Sequence, residues 1–320
     1  MNNIQHKSKI LFYGNCQIGA ISKIFSTHPQ LKAQFTVLDA RDYNLANQDP
    51  YPAVANFLLS NDLSKGKNDP RNIKKIFSDA DIVVFQAIDN NSVPEYCLTK
   101  NIIPDFDRLS ICIPSFWYSG YFGHPYKFPM LDIFYYLNKL DLSNKEALNL
   151  LLNEPITITE KLHTYYHDSS IEGLKSRSKE QAEIYNYIPM LDWLLETYKN
   201  KLLCYNHSHP APAFFEFIVN EILNRIDSSM ENLNFENFDF QHACANGWFK
   251  PTTFKFFNNL FPNLAPLSKI EVAHYHNVYK ENELERFVNE GMRYVKDNQV
   301  LDGHGFISEP KLKTILGIKD

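Results

Sequence analysis

The sequence is short of everything that staples, anchors or cradles. It has five cysteines, an odd number, and none falls in a Cys-x-x-Cys pair. That argues against a disulfide framework and paired-cysteine zinc ribbons, and it fits free thiols in a reducing compartment. No apolar run approaches the roughly 18 residues of a membrane-spanning helix. The apolar stretch Ile10–Tyr13 is too short for a signal peptide, so Cys16 is not expected to be a lipidated cysteine and the expected location is cytoplasmic. No Gly-x-Gly-x-x-Gly or P-loop pattern follows any apolar run, which argues against dinucleotide and nucleoside triphosphate sites. There is no excess of positive charge. Lys+Arg total 32 against 37 Asp+Glu, a net charge of −5, so no basic face points to nucleic acid. Internal repeats and low-complexity linkers are also missing.

What the chain does have is apolar mass. Hydrophobic residues make up 44% of its 320 residues, with 24 Phe and 18 Tyr. That suffices for a core without staples. Short apolar runs at 9–14, 34–39, 81–86, 109–113 and 201–206 read as strands. Helical patterns fill 17–27, parts of 51–78, much of 131–200 and 212–224. Continuous apolar strands alternating with helices predict an α/β fold with a parallel central sheet and helices on both faces. Residues 1–225 are expected to form this catalytic domain. Residues 226–320 are expected to be a mainly helical extension packed on it. Residues 114–130 are rich in proline, glycine and aromatics, which suits a structured loop and a pocket wall.

Cys16 draws attention by its place. The run Lys9–Tyr13 ends at Gly14, and the thiol follows where the turn opens toward a helix. The carboxyl ends of parallel strands are where α/β folds hold ligands. A helix beginning at this point favours a thiolate. Cys112 and Cys204 lie in apolar runs and read as inert core residues. A nucleophilic thiol needs a base. The segment Asn206-His207-Ser208-His209-Pro210 follows another expected strand. If that strand lay parallel to the first in one sheet, its histidines would reach the same edge. Gln241-His242-Ala243-Cys244 and His274-Tyr275-His276 lack zinc spacing, so no metal site is expected. Asp302 offers a further polar residue without a position.

Gly14-Asn15-Cys16-Gln17 is the first of an ordered set. Asp81–Gln86 follows with its strand-end glutamine, then Gly120-Tyr121-x-x-His124-Pro125, then residues 206–210. Leu174-Lys175-Ser176-Arg177 opens the helical stretch before the last block. Over residues 8–225 this order resembles the WcbI-type capsular-polysaccharide biosynthesis acyltransferases, with a distant likeness to the SGNH-hydrolase layout and its flavodoxin-like three-layer core.

The resemblance implies coenzyme A as acyl carrier and O-acyl transfer, acetyl in the first instance, to a sugar of a surface-polysaccharide precursor. It puts Cys16 at the thioester, either as nucleophile or beside it. The base is His209, favoured by the adjacent proline, or His207. Gln17 and Gln86 are implied oxyanion donors, with Asn90 an alternative to Gln86. Gly14 and Asn15 form the turn against the cofactor. Lys175 and Arg177 are the candidate cations for its phosphates, although a solvated helix face explains either one alone. Tyr118, Tyr121 and His124 would line the pantetheine or acceptor channel. Two departures stand out: cysteine replaces the SGNH serine, and Asn206 replaces the aspartate. An asparagine can still orient the histidine of a Cys–His pair. An SGNH-like esterase or deacetylase using Cys16 is the alternative, and a non-catalytic coenzyme A- or sugar-binding protein is the third reading. The expected partner is a glycan acceptor; the oligomeric state, a homo-oligomer included, stays open.

Overall fold

Strand β1 (Ser8–Tyr13) is buried along its last four residues, and β3 (Ile82–Phe85) is buried throughout. Strands with no polar alternation need cover on both faces, as in a parallel sheet. The two pair in parallel, with Ile10 opposite Ile82 and Tyr13 opposite Phe85. β2 (Phe35–Val37) lies on the other side of β1, and β4 (Leu109–Cys112) lies beyond β3. The order is β2-β1-β3-β4. The computed structural model describes residues 7–43, 45, 70–88, 95–120, 137–138, 142–153, 157–206 and 209–240, and isolated positions from 289 to 314.

Helices cover the sheet as expected. α1 (Cys16–Thr27) sets Phe25 against Phe12, with ring centroids 5.0 Å apart. On the opposite face Leu11, Tyr13, Val83, Phe85 and Cys112 join Ile73, Ile76 and Phe77 of α3 (Pro70–Asp79). α2 (Pro29–Gln34) joins α1 to β2, and α4 (Thr99–Ile102) precedes β4. The remaining helices are α5 (Asn144–Asn153), α6 (Thr157–Ile184), α7 (Leu191–Thr197) and α8 (Pro212–Ile226). The chain divides into two compact units. One comprises residues 1–116, 176–190 and 212–247; the other comprises 117–175, 191–211 and 248–320.

The sequence pattern misplaces one strand. The run at 201–206 does not extend the parallel sheet. Its Cys204–Asn206 portion, β5, pairs antiparallel with β6 (His209–Pro210) in a separate two-stranded sheet. The place beside β4 goes to residues 186–188. The Cys112 N–H donates to the Asn186 carbonyl, and the Ile188 N–H to the Cys112 carbonyl, both at 2.9 Å. A three-residue strand pairs with a segment that follows after two residues at less loop-closure cost than with a distant sheet edge.

One buried histidine in the first unit makes stability depend on pH. Pro29 bars the preceding residue from helical geometry, so α1 stops and His28 turns extended, with ψ of 124°. His28 is only 6% exposed, and its ring lies 5.2 Å from Phe235 and 5.3 Å from Phe238. Its Nδ1 has no hydrogen-bond partner among the described residues. Burial, opposed by a hydrogen bond with the Asn234 backbone, holds it below the usual 6.5. Between the lowered folded value and 6.5 the unfolded chain binds more protons. The stabilisation is therefore complete above about pH 6.5 and is lost as pH falls through the folded value. Urea midpoints of wild type and His28→Leu, taken from about pH 5 to about pH 8, should show the wild type losing ground on the acid side. A pH-independent difference would remove this role.

Candidate functional site

The site grows from the register. Because Tyr13 pairs with Phe85 and Phe85 with Cys112, the next residues Gly14, Gln86 and Ile113 emerge together at the carboxyl edge. The chain leaves β1 for β2 on one side and reaches β3 on the other. This is the strand-order switch at which open α/β sheets place their ligands.

Gly14 and Asn15 make the turn. A Cβ on Gly14 would come within 2.7 Å of Ile18 Cγ1 and 3.1 Å of Gln86 Oε1, so the close approach requires glycine. Asn15 caps α1 by accepting the Gln17 N–H on its side-chain oxygen at 2.8 Å. Cys16 is the first residue of α1, whose first turn contains no acidic residue to offset the positive end of the helix.

Two buried amides knit this edge. Gln86, 1% exposed, accepts the Asn15 N–H on Oε1 at 3.2 Å. Its Nε2 donates to Gln17 Oε1 at 3.0 Å and to the Pro114 carbonyl at 3.3 Å. Gln17, 4% exposed, pairs twice with the Phe116 backbone: Nε2 donates to the carbonyl at 2.8 Å, and Oε1 accepts the N–H at 2.9 Å. Both hydrogens of Gln86 Nε2 are used within the protein.

Three other thiols are buried. Burial pushes Cys97 up to about 11 and Cys204 well above its ordinary value, so neither is a nucleophile at neutral pH. Cys112 is fully buried.

The other expected site residues fare differently. Lys175 and Arg177 are exposed on α6, two positions apart, and so lie on different faces of the helix. His209 stands in β6, its backbone in register with Asn206. Tyr118 is fully buried in the second unit, where burial raises its pKa and keeps the phenol protonated. Its hydroxyl meets His167 Nδ1 at 2.8 Å, and the His167 ring stacks on Tyr198 at 4.5 Å. The Ser119 N–H donates to Ser170 Oγ one helical turn further on. The sequence reading missed His167. Its signal was a polar pair at i, i+3 beside the buried Tyr166, Ile171 and Leu174 of the same helix. Tyr121, His124, His207, Asn90 and the segments 241–244, 274–276 and 302–304 lie outside the described residues. Among the described residues no His, Cys, Asp and Glu group could hold a metal ion, and no helix is long and apolar enough to cross a membrane.

A cavity of about 420 Å³ opens at the carboxyl end of β2, lined in part by Asp39, Asp42, Tyr43, Asn72 and Lys75. Several of its polar groups are already engaged. Asp39 grips Arg41, while the Tyr43 hydroxyl and Lys75 both donate to Asp79, at 2.9 and 2.7 Å.

No family model matches the sequence, and no curated protein matches it. Among solved structures the chain is similar to WcbI, described as a novel polysaccharide biosynthesis enzyme, in its native form without a disulfide bond between coenzyme A and a cysteine. The TM-score is 0.59 at 13% identity, covering 98% of this chain and 99% of that one. At this identity the likeness is one of fold.

Proposed function

We propose that the protein is a coenzyme A-dependent O-acyltransferase of surface-polysaccharide synthesis, with Cys16 at the reacting thioester. The observation that carries the reading is the position of Cys16 at the amino end of α1, on the carboxyl edge of the parallel sheet where the strand order reverses. A helix amino end with no acidic residue in its first turn favours a thiolate over a thiol at that position. The fold shared with WcbI, a polysaccharide biosynthesis enzyme described in connection with coenzyme A, supports the choice of donor.

In this reading the Cys16 thiolate attacks the thioester carbonyl. The carbon–sulfur bond to coenzyme A breaks, and the coenzyme leaves as a thiolate that takes up a proton. A sugar hydroxyl then attacks the acyl-cysteine, gives its proton to a general base, and displaces Cys16 as the thiolate; the base passes that proton on, which balances the one the coenzyme thiolate took up. The resemblance read in the sequence implies His209 as that base, with His207 the other candidate. Thioester exchange between two thiols is close to isoenergetic, so the relay needs no energy source beyond the donor.

A thermal-shift comparison tests the ligand assignment. Coenzyme A and acetyl-coenzyme A at about 100 times Kd should raise Tm on the order of 4 °C for a chain this long, while adenosine triphosphate should not. No shift with either coenzyme at saturation would remove the acyltransferase reading and leave the esterase.

A further inference from the structure

We propose that Gln86 is the positioning residue of Cys16, holding both of its chain neighbours with one buried amide. The proposal rests on the reading that Cys16 is the reactive thiol. Gln86 Oε1 takes the N–H of Asn15, the residue before Cys16. Gln86 Nε2 gives one hydrogen to the side chain of Gln17, the residue after it, and the other to the Pro114 carbonyl. The Gln86 backbone is itself fixed, because its N–H donates to the Tyr13 carbonyl at 3.0 Å and continues the β1–β3 ladder.

The clamp therefore joins the segments that follow β1, β3 and β4. Gln17 completes the third connection through its double pairing with Phe116. Gly14 is part of the device, since a side chain there would occupy the space that Gln86 fills. A buried amide with both hydrogens and its oxygen engaged has one low-energy setting. The peptide units on either side of Cys16 inherit that setting, and with it the angle at which the first turn of α1 faces residue 16.

This role differs from that of an oxyanion donor. Both Gln86 Nε2 hydrogens already have carbonyl acceptors at 3.0 and 3.3 Å. Donation to a substrate oxygen would require one of those bonds to break. Gln86 acts through Cys16 and does not touch the reacting atoms.

The test reads Cys16 itself on the full-length protein, independently of acyl transfer. Iodoacetamide labelling is followed against pH, with Cys16 resolved by peptide mass spectrometry and the urea midpoint recorded for each variant. Gln86→Met keeps the approximate shape and deletes all three side-chain hydrogen bonds. Its Cys16 rate at neutral pH should fall about tenfold, with the labelling midpoint moving about one unit toward the free-cysteine value near 8.5. Gln17→Met, which leaves the Gln86–Asn15 bond in place, should fall between. Val84→Ala, buried in β3, should lower the urea midpoint and leave the labelling profile unchanged. If Gln86→Met does not fold, Gln17→Met decides by the same profile. A wild-type midpoint below 8.5 that the glutamine variants leave unmoved, or that Val84→Ala moves equally, overturns the clamp alone. A wild-type midpoint at the free-cysteine value overturns the reactive-thiol reading beneath it.

Discussion

Cys16→Ala is expected to lower acyl transfer from acetyl-coenzyme A by on the order of 10⁴-fold, the scale seen when a covalent nucleophile is removed from a preorganised site. That corresponds to about 5.5 kcal/mol of transition-state stabilisation. The expectation follows from the site's construction. The thiol position opens a helix whose first turn carries no carboxylate, and the turn beneath it is capped by Asn15. Cys16→Ser should retain more activity than Cys16→Ala but remain well below wild type, because a hydroxyl is not ionised at neutral pH. Intact-mass spectrometry after brief mixing with acetyl-coenzyme A, without acceptor, should find one acetyl adduct on the wild type and none on Cys16→Ala. Activity of Cys16→Ala within about tenfold of wild type would refute the covalent relay and leave the thiol as a bystander at the thioester.

Phe85→Ala is expected to destabilise the first unit by about 3–5 kcal/mol. Phe85 is fully buried at the end of the central strand, with Tyr13 paired to it on one side and Cys112 on the other. Its ring meets the Tyr185 ring edge-on at 5.1 Å. Removing it opens a cavity between two strands and a helix end, a region with little freedom to collapse. An ordinary domain has only about 5–15 kcal/mol of net stability, so the loss is a large share of it. Urea unfolding followed by circular dichroism measures the loss. The next residue is Gln86, so the variant should also blur the site: at a temperature where it stays folded, Cys16 labelling should slow. A loss under about 1 kcal/mol would mean that neighbouring side chains refill the space.

Much of the first unit was legible because its signals are local. Ile10–Tyr13 and Ile82–Phe85 are unbroken apolar runs, and only a strand covered on both faces buries every one of their residues. Pro212 marks a helix start because a proline at the first position loses no hydrogen bond, whereas the short helix opening at Pro29 had no reading in the sequence. The turn at Gly14 and the helix opening at Cys16 follow from the same reasoning. The partner of the 201–206 run was not legible. An apolar triplet records that it will be buried, not which edge will bury it, and here the sheet edge went to Tyr187. His167 was missed because its hydroxyl partner, Tyr118, lies 49 residues away.

The sequence by itself determined the α/β class, the strand that delivers Cys16 and the turn that precedes it, since each depends on residues within one or two turns of chain. The tertiary structure alone decided what surrounds that cysteine. Gln17 and Gln86 look like interchangeable polar residues until the β1–β3 register sets them side by side, and only then does one amide hold both neighbours of Cys16. The physical reason is range: propensity and capping act within a few residues, whereas a buried hydrogen bond across 69 positions exists only once the sheet has aligned its strands.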